Sequence, residues 1–409
     1  MITRPLLMLV GILFVSALGA DEYHYNDILV GDRASGMGGA YTAISDDPSG
    51  MYYNPAGIIY APATNTSSSA FAYQSKSKRY KGAIGTNDWI RTSSSFIPNF
   101  FGVLQPIGDS MWGLSYVMTE AVDEHQAQSF TNLNLSGIDL YTIDLDRQDS
   151  VYMIGPSYAS RINDRWTYGV SLYLQIRDQI TSFQQVADLS DGSHDVTSQQ
   201  IAISELGFNP VFGLMWEPAE RISVGLTARK AFIFDAQRRI ECTKQAGPIS
   251  GTICGTSYAA NQYIHPQIIE DHFYFDPPWE LGMGWAMFPN NKEVVSTDVK
   301  FYVGGARVNT WNASIGYEYF INSKWNTRFG VYTNNANTAT PTLYNAVEHV
   351  DELGMSLSLG RFTRTSSISL GMAYLTGSGY ASGISDAAST LTPVNSDSFS
   401  LYLTAFYTN

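Results

Sequence analysis

Period-two alternation runs through most of this chain beyond residue 65, and it predicts antiparallel strands. In Trp311–Tyr319 the odd positions are Trp, Ala, Ile, Tyr and Tyr, and the even ones are Asn, Ser, Gly and Glu. Arg165–Arg177 sends Trp166, Tyr168, Val170, Leu172, Leu174 and Ile176 one way, with Thr167, Gly169, Ser171, Gln175 and Arg177 on the other face. In Glu352–Leu359, Leu353, Met355, Leu357 and Leu359 oppose Gly354, Ser356 and Ser358. A soluble sandwich would put Lys, Glu and Thr on its outward face; Gly, Ser and Asn suit a crowded interior. Runs of this kind mark fourteen strands, at 66–74, 93–105, 110–120, 147–161, 164–178, 200–216, 220–234, 268–288, 292–304, 307–320, 323–335, 351–363, 365–377 and 396–408.

An even count fits a closed antiparallel barrel, in which closure leaves no backbone group unpaired in lipid. Short turns hold Gly108-Asp109, Asn163-Asp164, Glu217-Pro218, Pro289-Asn290-Asn291, Asn322-Ser323 and Arg364-Thr365. Most of the intervening connections, 75–92, 121–146, 179–199, 235–267, 336–350 and 378–395, are expected as long outer loops, and one near Gly304-Gly305 is short. The predicted fold class is all-β: a transmembrane β-barrel with a plug in its lumen. The plug is read from Gly31–Gly57, which is too rich in Gly, Asp, Ser and Pro for a long helix or a strand pair. It nevertheless carries Met37, Ala40, Ile44 and Met51, which a free linker has no use for.

Composition agrees with a membrane barrel. Charged residues are 15%, where about a quarter is usual in soluble proteins, and aromatics reach 13%. Mean hydropathy is −0.10, and past the amino terminus no apolar run reaches helical membrane-spanning length. Arg4 followed by an apolar Leu6–Leu18 and small residues at Ala17 and Gly19 reads as a secretion signal cleaved after Gly19, with Ala20 the near alternative. The expected division is 1–19 signal peptide, 20–64 plug and 65–409 barrel. The formal charge of −13, less the +1 of Arg4, becomes −14, which argues against nucleic acid as a partner.

Cys242 and Cys254 in an exported chain are expected to pair in the fourth outer loop. The six histidines have no metal-ligand spacing, and no nucleophile elbow or phosphate loop is present, so neither a metal, a cofactor nor an enzymatic activity is expected. Asp46 and Asp47 read as turn caps rather than a Ca²⁺ site.

The run G-x-R-A-x-G-M-G-G-A-Y-T-A-I-x-D-D-P followed by Asn54-Pro55-Ala56-Gly57 resembles the FadL family of outer-membrane transporters for hydrophobic compounds. Gly207–Gly213 with Trp216-Glu-Pro218, Val224–Lys230, Pro278–Trp285 and Ala313–Tyr319 extend the resemblance over the mature chain. It implies a fourteen-stranded barrel closed by a hatch, whose residues here are Gly36, Gly38, Gly39, Asp46, Asp47, Asn54, Pro55, Ala56 and Gly57. It also implies passive transport of long-chain fatty acids or hydrocarbons, with a lateral exit from lumen to bilayer. The double-Gly, double-Asp form is similar as well to a related branch serving protein secretion or surface attachment, so an exported protein is a second partner class. The lipid bilayer and the barrel-assembly machinery are the remaining expected partners.

For a carboxylate head, strand parity points Arg177, Arg229 and Lys300 into the lumen, with a structural pair such as Lys300–Asp298 as the alternative. Phe130, Leu133, Leu135, Ile138 and Leu140 read either as an outer landing surface or as loop packing. Pro98, Pro156 and Pro210 each delete a ladder hydrogen bond and mark places where the wall can part.

Overall fold

The computed structural model describes residues 23–408 except 26–27, 63–64, 134–136, 246, 249, 343–347 and 383–390. The signal-peptide reading, and Leu135, lie outside the described residues. Twelve of the wall strands are unbroken: β1 (Asn65–Ile84), β2 (Asn87–Ile107), β3 (Ser110–Phe130), β4 (Ile138–Asn163), β5 (Trp166–Leu189), β6 (His194–Ala219), β13 (Glu293–Val303), β14 (Thr310–Asn322), β15 (Trp325–Asn334), β16 (Glu348–Phe362), β17 (Ser366–Ala381) and β18 (Thr392–Thr408). The other two are interrupted: β7 (Ile222–Arg229) continues as β8 (Phe232–Lys244), and β11 (Ile264–Asp271) continues as β12 (Trp279–Asn290). Counted this way the wall has fourteen strands, and β1 pairs with β18 to close it. Between β8 and β11 lies a small hairpin, β9 (Gly251–Ile253) with β10 (Thr256–Tyr258).

The alternation read from the sequence is the lipid-facing pattern. Leu353, Met355, Leu357 and Leu359 are 47–54% exposed, while Ser356 and Ser358 are buried inward. Ile315, Leu370, Met372, Met283 and Leu403 extend this outward band around the barrel. Short turns join the strands at one rim, which is the periplasmic arrangement.

The other rim differs from expectation. Residues 75–92, 121–146 and 179–199, expected as loops, are mostly strand: β1 and β2 meet at Gly85-Thr86, and β5 and β6 at residues 190–193. The reason is a reversal of sense along the strands. On β4 the outward positions Tyr152 and Ile154 give way to exposed Asp144, Asp146 and Gln148, while Ile143 and Leu145 turn inward. Above the bilayer the ladder continues in water, so polar residues face out and apolar ones fill the inside. Tyr80, Trp89, Phe130, Tyr141, Ile143 and Leu145 form that upper apolar core. Phe130 and Ile138 belong to it, which is loop-end packing rather than a landing surface.

Of the three prolines, Pro98 sits where the wall parts. β2 pairs with β3 from Phe100↔Val117 downward and again at Ser93↔Glu124, with residues 94–99 and 118–123 unpaired between them. Pro156 accompanies only a two-residue lapse against β5, and Pro210 stays in register opposite Leu172.

Cys242, at the end of β8, is joined to Cys254 in the turn of the small hairpin, and both pack with Ile253, Tyr258 and Ile264. Cross-linking so short a loop contributes about 3 kcal/mol in the chain-entropy view. Both thiols should resist alkylation in intact cells until a reductant is added; free reaction of both with a maleimide beforehand would remove the staple.

Candidate functional site

The described residues between 23 and 61 run down the inside of the wall. At the outer end Asn337 N donates to Tyr23 O at 2.8 Å, and His24 Nε2 donates to Val350 O at 2.8 Å. At the periplasmic end Thr167 Oγ1 donates to Ala56 O at 3.0 Å. Between them stand two short helices, α1 (Asp32–Gly36) and α2 (Gly50–Tyr53), and a 3-10 turn at Pro55–Tyr60. None is long enough to be stable alone; each is held by wall side chains.

The strongest hold is a chain of buried charges. Arg33 reaches Glu318 Oε2 at 2.6 Å and Asp46 Oδ1 at 2.6 Å, and Arg328 joins Glu318 at 2.8 Å to Asp32 at 2.9 Å. Asp32 also accepts from Ser369 Oγ at 3.1 Å. Further along, Tyr41 N and Thr42 N both donate to Asp298 Oδ2, at 2.9 and 2.8 Å. Asn54 serves the segment and the wall together. Its Oδ1 accepts from Ala56 N at 3.1 Å, while its Nδ2 donates to Thr42 O at 2.8 Å and Leu214 O at 3.3 Å.

Close approach explains the glycines. Gly38 has φ +65° and lies against Gly330, where a Cβ would come within 2.2 Å of Gly38 N. A Cβ at Gly213 would meet Asn54 Oδ1 at 2.1 Å. Both surfaces are therefore built for contact. Asp46 and Asp47 have structural partners: Asp46 holds Arg33 and Tyr41 Oη, and Asp47 Oδ1 accepts from Ser49 N and Oγ at 2.8 and 2.6 Å. Burial pushes the Asp47 carboxyl up to about 6, against the opposing effect of the Ser49 hydrogen bond.

Above this segment a cavity of about 240 Å³ opens on the lumen. Tyr25, Tyr52, Met153, Tyr302 and Phe275 supply apolar surface, and Arg177, Glu205, Arg229, Glu280 and Arg307 supply charge. The three bases singled out from parity are not together. Arg177 and Arg229 line the cavity; Lys300 is not among its lining residues. Arg177 is held by Asp149 at 3.0 Å, beside Arg147 at 2.7 Å from the same carboxylate. Arg229 and Lys300 share Glu280, at 3.6 and 3.4 Å, and lie over the rings of Tyr52 and Tyr53 at 4.2 and 5.2 Å. Lys300 thus pairs with Glu280 rather than Asp298, which is taken by backbone N–H groups. Glu280 was missed, although Pro278-Trp-Glu280 lies in a stretch carrying the family resemblance; parity assigns a face to a residue but not its partner on the next strand.

This arrangement defines a class: a closed barrel whose lumen holds an amino-terminal segment beneath a mixed apolar and charged cavity. No family model matches the chain, and no curated protein matches it. Solved structures do. The P. putida toluene transporter TodX aligns at a TM-score of 0.67 and 13% identity, covering 93% of this chain and 98% of that one. A Pseudomonas aeruginosa FadL homologue aligns at 0.67 and 14%, covering 94% and 99%. The Ralstonia pickettii toluene transporter TbuX aligns at 0.60 and 15%, covering 93% and 98%. The chain shares their fold over nearly its full length.

Removing one member of a buried charge network typically costs about 3–5 kcal/mol. Glu318→Gln, which leaves Arg33 and Arg328 facing each other, should therefore loosen the segment and raise the conductance of the barrel to small ions in planar bilayers. Deletion of residues 31–57 should leave a heat-modifiable, folded barrel with a still larger conductance. A deletion variant no leakier than the parent would show that the segment does not occlude the lumen.

Proposed function

We infer that the chain is a bacterial outer-membrane transporter that passes hydrophobic molecules by diffusion, with residues 20–64 as hatch and 65–409 as barrel. The cavity above the segment carries this reading. Its volume suits small hydrophobes, since an apolar hole of about 150 Å³ already takes benzene, and the similar solved structures are named as toluene transporters and a FadL homologue.

A lateral exit is supported at β2/β3. The unpaired stretches 94–99 and 118–123 leave a length of wall with no ladder to break, and Thr119 and Glu120 from it line the cavity. On the lumen side Ile97 packs on Ile28 and Leu29, and Asn99 Nδ2 donates to Leu29 O at 2.7 Å, so movement of the segment is coupled to this seam.

For substrates with a carboxylate, Arg229 and Lys300 are the proposed head-group site, with Arg177 as a further donor. Two cations meet one carboxylate there, Glu280, which leaves N–H donors for a second anion. Charged hydrogen bonds contribute about 1.5–3 kcal/mol each. Arg229→Gln combined with Lys300→Gln should therefore weaken fatty-acid binding by about tenfold or more, with toluene binding nearly unchanged. Displacement of a fluorescent fatty acid from purified protein, beside direct toluene titration, measures both. Equal loss for the two ligands would assign these bases to holding Tyr52 and Tyr53 instead.

A scaffold role for an exported protein has one supporting observation. β11 pairs only with β8, its side chains from His265 to Glu270 are exposed, and an open edge of this kind accepts an added strand. Recovery of a stoichiometric exported protein with the purified barrel, together with normal uptake, would favour that reading.

A further inference from the structure

The wall has a second parting, between the two interrupted strands. Below it Glu280 of β12 pairs with Arg229 of β7, and above it Asp271 of β11 pairs with Arg238 of β8. The register is the same on both sides, so residues 272–279 lie opposite 230–237, yet no ladder pair joins them. Only side chains cross: His272 Nδ1 donates to Ala236 O at 2.8 Å, Lys230 Nζ donates to Asp276 Oδ2 at 3.2 Å, and the Arg238 guanidinium lies over the Phe273 ring at 4.0 Å. The sequence enforces the lapse, because Pro277 and Pro278 have no N–H to donate. Each lip is held on its far side: Phe232 of β8 pairs with Phe208 of β6, and Ala306 N donates to Asp276 O at 2.9 Å.

The parting joins two environments. Lys230, Ala231, Phe275, Asp276 and Pro278 line the inner cavity. Phe275 itself is 40% exposed, and the neighbouring Phe232, Phe234 and Trp279 of the two lips face outward. Just above, at Gln237 and Arg239, the exposed positions turn polar, which places the aromatic lips at the outer bilayer interface. Two contacts bridge the lips and the neighbouring turn: Lys230 Nζ to Asp276 Oδ2 at 3.2 Å, and the Arg307 guanidinium over the Phe275 ring at 4.1 Å.

We propose that this parting is a second lateral portal, an entrance through which apolar molecules dissolved in the outer leaflet reach the cavity directly from the bilayer. The proposal rests on the transport reading and adds a route to it. Apolar solutes concentrate in the bilayer, and the lips present them with aromatic surface rather than water. Opening breaks no strand ladder; it separates Lys230 from Asp276, His272 from Ala236 and Arg238 from the Phe273 ring. Because Thr119 and Glu120 of the β2/β3 seam line the same cavity, a molecule admitted here lies on a path across the lumen to the exit.

The test uses the full chain in lipid vesicles with its native disulfide intact. Ala231→Cys places a thiol on the inner lip, and Ala286→Cys, buried in an unbroken ladder, is the comparison. Pyrene maleimide, which resides in the bilayer, should label the Ala231→Cys thiol several-fold faster than the Ala286→Cys thiol, and added toluene should slow it. Labelling only by a charged, water-soluble methanethiosulfonate, or no faster than at the comparison site, would overturn the portal and return entry to the aqueous mouth. In cells, bridging Lys230→Cys to Asp276→Cys with a short bis-maleimide should lower the initial rate of toluene uptake several-fold. Uptake at the parent's rate after bridging would overturn the portal while leaving transport standing. Failure of the parent itself to take up toluene would count against the transport reading, and the vesicle labelling would then decide by itself whether the lips open to lipid.

Discussion

Backbone hydrogen bonding in a medium without water governs this molecule. Inside a bilayer each unpaired N–H or C=O is expensive, so the strands must form a ladder that closes on itself. Pairing of β1 with β18 meets that demand, and nearly every wall neighbour is paired over the membrane zone. Lapses in such a ladder need another environment to satisfy them. Two of them, at 94–99 with 118–123 and at 230–237 with 272–279, both border the same cavity and both lie at the level where outward residues change from apolar to polar. Lumen and interface can hydrate what lipid cannot. The same constraint that closes the wall therefore limits where it can part.

The membrane zone was legible because lipid imposes one sense on the alternation: apolar out, small and polar in. Leu353, Met355, Leu357 and Leu359 opposite Ser356 and Ser358 could be read directly, and all fourteen strands were located. Their outer ends were not. Above the bilayer Asp144 and Asp146 face water while Ile143 and Leu145 face inward, so the period of two persists with its meaning reversed. A polar outward face looks like loop when only the apolar face is sought. The interruption at Pro277-Pro278 was within reach of the same rule that flagged Pro98, but it fell inside a stretch read as one continuous strand.

Side-chain parity was a weaker guide to the cavity. It assigned Arg177, Arg229 and Lys300 a common face, yet a charge in a narrow lumen is set by its neighbours across strands. Arg177 belongs with Arg147 and Asp149, two residues on β4, whereas Arg229 and Lys300 meet at Glu280 on β12 between them. Buried charges of this kind are stable only when paired. A lumen with several bases must therefore carry acids of its own, and the acids decide which bases retain donors for a ligand. Cross-strand register, which a single sequence does not reveal, is the missing quantity.

The inner segment shows how such charges can be arranged without making the barrel depend on them. Its short helices have no independent stability, and its anchors, Glu318, Arg328, Asp298 and Ser369, all stand on strands that are fully paired with their own neighbours. The wall's ladder is complete at these points whether or not the segment is seated. Gly213 and Gly330 then provide recesses in which Asn54 and Gly38 approach the wall backbone. The segment's contacts are thus laid over a scaffold that supplies its own hydrogen bonds. Its contacts also reach the seam at Asn99 through Leu29. Leu29 stands only a few residues before Asp32 and Arg33, so one short stretch of the segment holds both the seam at Asn99 and the charge chain at Glu318 and Arg328.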